Sequence, residues 1–134
     1  MITRMLRLLA LALALFALNA QARNLEPIGN FDNLPATTGG GQAATIQQIT
    51  EALTAAGAPR GWQVAQVKPG QLVATVNVRN KHTVSLDVSL APGLYSLRYK
   101  NSTNMNYNGV QINPHYNKWV QTLIEDTAKE LAKK

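Results

Sequence analysis

Two histidines, His82 and His115, are the only imidazoles in the chain, and it contains no cysteine. Neither histidine has a carboxylate at ligand spacing. Glu125 and Asp126 are adjacent in a helical pattern, and adjacent positions on a helix do not face each other. No metal site is therefore expected, and without thiolates the soft-ligand sites are excluded outright. Ser102, His115 and Asp87 offer the residue types of a hydrolytic triad, but no nucleophile-elbow sequence surrounds Ser102. The carboxylates available for glycosidic acid–base work are Glu26, Asp32, Glu51, Asp87, Glu125, Asp126 and Glu130, and none falls in an expected cleft. Gly39-Gly40-Gly41 is not a phosphate cradle, because it lacks the flanking strand and helix and the following Lys-Ser or Lys-Thr. No cofactor is expected.

Recognition chemistry is better represented. Thr75, Asn77, Arg79, Thr83, Ser85, Asp87, Ser89, Ser96, Arg98 and Lys100 alternate with apolar residues and would share one sheet face. Three cations against one acid, among small hydroxyls, suit an anionic or glycan ligand. The plain alternative is a hydrated face, with Thr and Ser serving strand propensity. A second candidate is the asparagine-rich stretch holding Ser102, Asn104, Asn106, Tyr107 and Asn108, where Tyr107 and Tyr116 supply rings for stacking on a sugar or peptide. Here the plain alternative is turn chemistry, since asparagine side chains stabilise irregular backbone without a ligand. The ligand-binding candidates are Arg79, Arg98, Lys100, Ser102, Asn104 and Tyr107. Trp62 and Trp119 read as core residues. Asn101-Ser102-Thr103 matches a glycosylation sequon, and the match is read as incidental.

The elements that must position these residues follow from periodicity. Ile46, Ile49 and Leu53 at i, i+3, i+7 predict a helix over 46–56, with Thr45 and Gln48 as a capping box and Gly57 and Pro59 as stop signals. The period then changes to two. Strands are expected at 62–67, 72–79, 83–90 and 95–100, joined by turns at Pro69-Gly70, Asn80-Lys81 and Pro92-Gly93. Asn108-Gly109 predicts a small hairpin or an ordered loop within 105–112. Asn113-Pro114 opens a last helix striped by Tyr116, Val120, Leu123, Thr127 and Leu131. A sheet with one apolar face needs a cover. The expected fold is an α+β two-layer sandwich: an antiparallel meander of about four strands with two helices on one face, in the order α-β-β-β-β-hairpin-α.

The beginning of the chain reads differently. Arg4 and Arg7 precede the apolar run 8–18, and Ala20-Gln21-Ala22 is a small-x-small cleavage pattern. Residues 1–22 are therefore expected to be a signal peptide. Its removal takes two of the 13 basic residues and leaves 112 residues with net charge +4. That is one domain's length, enough to bury a core without disulfides. Residues 23–43, rich in Asn, Pro, Gly and Thr, are expected to be a flexible tether, although Leu25, Ile28, Phe31 and Leu34 could dock on the domain. The single domain would occupy 44–134. The expected product is soluble and periplasmic or secreted, with no membrane span after cleavage. No Lys/Arg run marks a nucleic-acid arm.

Gly61-Trp62, Pro69-Gly70, residues 73–79 with His82, residues 95–102, Asn104-Met105-Asn106-Tyr107 and Tyr116-Asn117-Lys118-Trp119 together resemble a set of small exported proteins and lipoproteins of proteobacteria. The resemblance covers roughly 60–125 and implies an envelope location without an established activity. Two departures matter. Many relatives look like lipoproteins with an acylated cysteine after the signal peptide, absent here, and relatives tend to place a histidine directly after the isoleucine where this chain has Asn113. The expected function is non-enzymatic binding of an anionic or glycan envelope component. The alternatives are an assembly partner of another envelope protein and, behind it, a small hydrolase using Ser102 or His115.

Overall fold

The computed structural model describes residues 24–134; the expected signal peptide lies outside them. The elements are β1 (Glu26–Pro27), β2 (Phe31–Pro35), α1 (Ile46–Gly57), a 3-10 turn (Ala58–Arg60), β3 (Trp62–Lys68), β4 (Gln71–Val78), β5 (His82–Ala91), β6 (Leu94–Thr103), β7 (Gln111–Ile112) and α2 (His115–Ala132). The architecture is the expected α+β arrangement, with five strands in the main sheet. Strands β3 to β6 form the antiparallel meander, and the sheet order is β2-β6-β5-β4-β3.

Local chemistry sets the boundaries. Thr45 and Gln48 form the capping box of α1, with Gln48 N donating to Thr45 Oγ1 at 3.1 Å and Thr45 N donating to Gln48 Oε1 at 3.0 Å. Gly61, at φ 87°, ends the 3-10 turn and starts β3. Ahead of α2, Asn113 Oδ1 accepts from His115 N at 2.9 Å. Asparagine thus caps this helix, as the Asn-Pro pair predicts.

The inward alternation of Leu72, Ala74 and Val76 on β4, Val84, Leu86 and Val88 on β5, and Tyr95 and Leu97 on β6 meets one stripe from each helix. Those stripes are Ile49, Ala52, Leu53 and Ala56 of α1 and Tyr116, Val120, Leu123 and Leu131 of α2, all in one core. Trp62 belongs to this core, and Trp119 packs against it.

One expectation is corrected and another is narrowed. Residues 24–43 are not a tether standing off the domain. Phe31 pairs with Leu97, and Leu34 with Tyr95, so β2 becomes the fifth strand at the β6 edge. Phe31 and Leu34 pack against the core, and this burial offsets the entropy that the Asn/Gly-rich composition suggests would dominate. Asn117 of α2 holds the start of the segment: its Oδ1 accepts from Gly29 N at 2.8 Å, and its Nδ2 donates to Glu26 Oε1 at 3.0 Å and Pro27 O at 2.9 Å. At Asn108-Gly109 the structure forms the ordered loop rather than the small hairpin, with Asn108 N donating to Gln111 O at 3.1 Å and Asn113 N to Met105 O at 2.8 Å. Asn108 Oδ1 accepts from Val110 N and Gln111 N, and Gln111 and Ile112 pair instead with Pro27 and Glu26. The asparagine makes a side-chain turn, and the docked N-terminal segment supplies the strand partner.

Candidate functional site

The six candidate residues separate into two groups. Arg98 and Lys100 stand on the outer sheet face. Arg98 Nε donates to Asp32 Oδ1 at 2.9 Å, and Lys100 Nζ lies 3.5 Å from Asp87 Oδ1. Asp32 arrives on β2, so docking of the N-terminal segment brings a second acid to this face. Two cations are matched by two acids, and the expected positive surplus disappears. Arg79 does not join them. It sits with Asn80 in the β4–β5 turn, both with left-handed φ (58° and 54°), where Lys81 N donates to Val78 O at 3.1 Å. The outer face is also partly closed by its own hydroxyls: Thr75 Oγ1 and Ser85 Oγ are 3.0 Å apart, and Asn33 N donates to Ser96 Oγ.

The second group forms a corner at the end of the sheet that carries the Arg79 turn. Strict alternation would place Ser102 on the outer face with Lys100. A bulge intervenes, because Ser85 pairs with Asn101 while Leu86 pairs with Tyr99. Lys100 is the extra residue, and beyond it the faces exchange. Ser102, paired with Val84, therefore returns to the side of Tyr99, and their side-chain oxygens lie 2.8 Å apart. Asn104, at φ 57°, donates from Nδ2 to Lys81 O at 2.7 Å, and its carbonyl lies 2.8 Å from His82 Nδ1. These bonds fasten the asparagine-rich loop to the Arg79 turn. Met105 is buried beneath it.

Tyr107 lies over this corner. Its ring centroid is 4.2 Å from that of Tyr99, while 40% of the residue remains exposed. Tyr116 approaches Tyr99 edge-on at 5.8 Å and is completely buried. Its hydroxyl is the one buried side-chain polar atom among the described residues with no hydrogen-bond partner. Burial, and then the nearby Tyr99 and Tyr107 phenols, push the Tyr116 pKa well above the ordinary tyrosine value, so the hydroxyl stays protonated. Tyr107 and Tyr116 are expected from the sequence as stacking rings, but Tyr99, which meets both, is not, since the bulge that turns Ser102 toward these rings has no sequence signal.

Elsewhere, the Ser102 hydroxyl is paired to Tyr99, and among the described residues no hydrogen bond joins it to a histidine or a carboxylate. The His115 ring stacks on Trp119 at 5.6 Å. A cleft of about 370 Å³ lies between Trp62, Val76, Val78 and Trp119. Its one charged lining residue, Arg60, donates to Asp126 at 2.7 Å. Among the described residues there is no group of three or more His, Asp or Glu able to hold a metal, and no helix long and apolar enough to cross a membrane. The chain matches no family model, no curated protein and no solved structure.

Proposed function

We propose that the chain is an exported, non-enzymatic binding domain of the bacterial cell envelope. Its ligand contacts would centre on Ser102, Asn104 and Tyr107, with Arg79 at the rim. The export reading rests on Arg4, Arg7, the apolar run 8–18 and Ala20-Gln21-Ala22. The observation that carries the binding reading is an exposed tyrosine set on a second aromatic ring, within a loop fastened by side-chain-to-backbone bonds. An exposed aromatic ring beside amide and hydroxyl groups suits a sugar, whose C–H face stacks while its hydroxyls are hydrogen-bonded. The outer face supports this role less, because its cations are already paired to Asp32 and Asp87. An uncharged envelope saccharide is therefore favoured over an anionic lipid. Amide shift mapping tests the reading, using a soluble saccharide digest of bacterial envelope and, separately, vesicles containing phosphatidylglycerol. The saccharides should shift residues 102–108 and the 79–82 turn. Absence of shifts with both preparations contradicts the proposal.

One observation favours the assembly reading. Among the described residues no strand pairs with the outer edge of β3, which lacks proline, and Val67 on it is 60% exposed. A stoichiometric protein partner recovered from periplasmic extract, lost on Val67→Lys, would favour that role.

A further inference from the structure

We propose that the Tyr116 hydroxyl is the polar anchor of a subsite roofed by Tyr107, and that the subsite takes the acetamido group of an N-acetylated sugar. The inference rests on the saccharide-binding reading above and deepens it. A buried phenol without a partner is costly, and native structures rarely keep one without a use. Here the ring of the phenol meets Tyr99 edge-on, and Tyr99 in turn carries Tyr107, the exposed ring of the corner assigned to the ligand.

The roof is loosely held. Its ring is partly exposed, and its one side-chain hydrogen bond, Tyr107 Oη to Gly109 O, is long at 3.4 Å. The residue before it, Asn106, has φ 53°, a conformation asparagine tolerates. Displacement of Tyr107 breaks no strong polar contact, and along that path a ligand would reach the Tyr99–Ser102 hydroxyl pair and, beyond Tyr99, Tyr116 Oη.

The chemistry of the groups along this path selects the occupant. Tyr99, Ser102, Asn104, Met105, Tyr107 and Tyr116 are all uncharged, so a carboxylate or phosphate would lose its hydration without gaining a counter-charge. A protonated phenol donates best to a carbonyl oxygen. An acetamido group provides that carbonyl, an N–H for the Ser102 or Tyr99 oxygen, and a methyl group for the aromatic rings. A plain hexose has a hydroxyl at that position and satisfies the anchor less well.

The test titrates the full chain with tri-N-acetylchitotriose and with maltotriose, followed by calorimetry and by NMR of labelled tyrosine rings. Chitotriose should shift the rings of Tyr99, Tyr107 and Tyr116 and should bind more tightly than maltotriose. Tyr116→Phe keeps the ring and its packing, and should weaken chitotriose about tenfold, the scale of one buried hydrogen bond. Ser102→Ala should weaken it too. Loop shifts on chitotriose addition with unchanged affinity in Tyr116→Phe overturn this inference while the saccharide reading stands. Equal affinity for the two sugars overturns the acetamido assignment. Shifts with neither these sugars nor envelope saccharides overturn both readings.

Discussion

Removing one oxygen atom from Tyr116 should make the free protein more stable. The hydroxyl is fully buried, has no hydrogen-bond partner, and sits in a ring packed by the core. Leaving such a group desolvated and unpaired costs about 1–3 kcal/mol. Phenylalanine fills nearly the same space, so Tyr116→Phe should add about 1 kcal/mol and raise Tm by about 4 °C. An independent signature appears at alkaline pH. Burial raises the pKa of Tyr95 to about 12 and that of Tyr116 further, with Tyr99 and Tyr107 adding to the second. The unfolded chain releases these protons near pH 10. Their stabilising contribution is therefore complete below pH 10 and is lost as pH rises toward the folded values. Each buried tyrosine contributes a loss of about 1.4 kcal/mol per pH unit between about pH 10 and 12. Wild type should lose stability with the slope of both residues, and Tyr116→Phe with that of Tyr95 alone. Other titrating groups are common to the two proteins and cancel in the difference. Urea unfolding at pH 7 and across pH 9–11.5, read by near-UV circular dichroism, measures both effects. A Tyr116→Phe protein that is less stable by about 1 kcal/mol or more at pH 7 refutes the reasoning, because the hydroxyl would then be hydrogen-bonded in the free protein.

Three further outcomes are expected. Asn117→Ala removes three of the bonds that hold residues 26–29 and leaves the pairing with β7. It should cost about 1–3 kcal/mol and speed amide exchange across β1 and β2 while leaving β4 and β5 protected. Arg98→Ala removes an exposed ion pair with Asp32 and should cost less than about 1 kcal/mol. The same change leaves Asp32 unpaired on the outer face, so the denaturation midpoint should depend less on salt than in wild type. Gly57→Ala would place its Cβ 2.7 Å from Trp62 Cβ, forcing the end of α1 off β3, and should lower stability by about 1–3 kcal/mol in urea unfolding.

The parts of the fold legible in the sequence are those encoded locally. The capping box at Thr45, the period-two runs of β4 and β5, and the Asn-Pro start of α2 each act over a few residues, and each lies where expected. The parts that escaped depend on distant partners. Residues 31–35 resemble a linker, and only the exposed β6 edge with Leu97 and Tyr95 makes them a strand. Asn108-Gly109 has a hairpin's composition, but the Asn108 side chain accepts from the amides of Val110 and Gln111, and Glu26 and Pro27 take the neighbouring strand. The candidate site divides for the same reason. Asp32 reaches Arg98 from 66 positions away, and the Lys100 bulge turns Ser102 toward Tyr99. The composition of the loop is readable in the sequence, whereas the seating of Tyr107 on Tyr99 is not.

Binding at the Tyr107 corner is the central claim, and an amide shift map of the full chain with soluble envelope saccharides tests it most directly. Shifts concentrated on residues 79–82 and 102–108, with Asp87, Arg98 and Lys100 unmoved, are the predicted result. Shifts confined to the outer sheet face, or absent throughout, would contradict it.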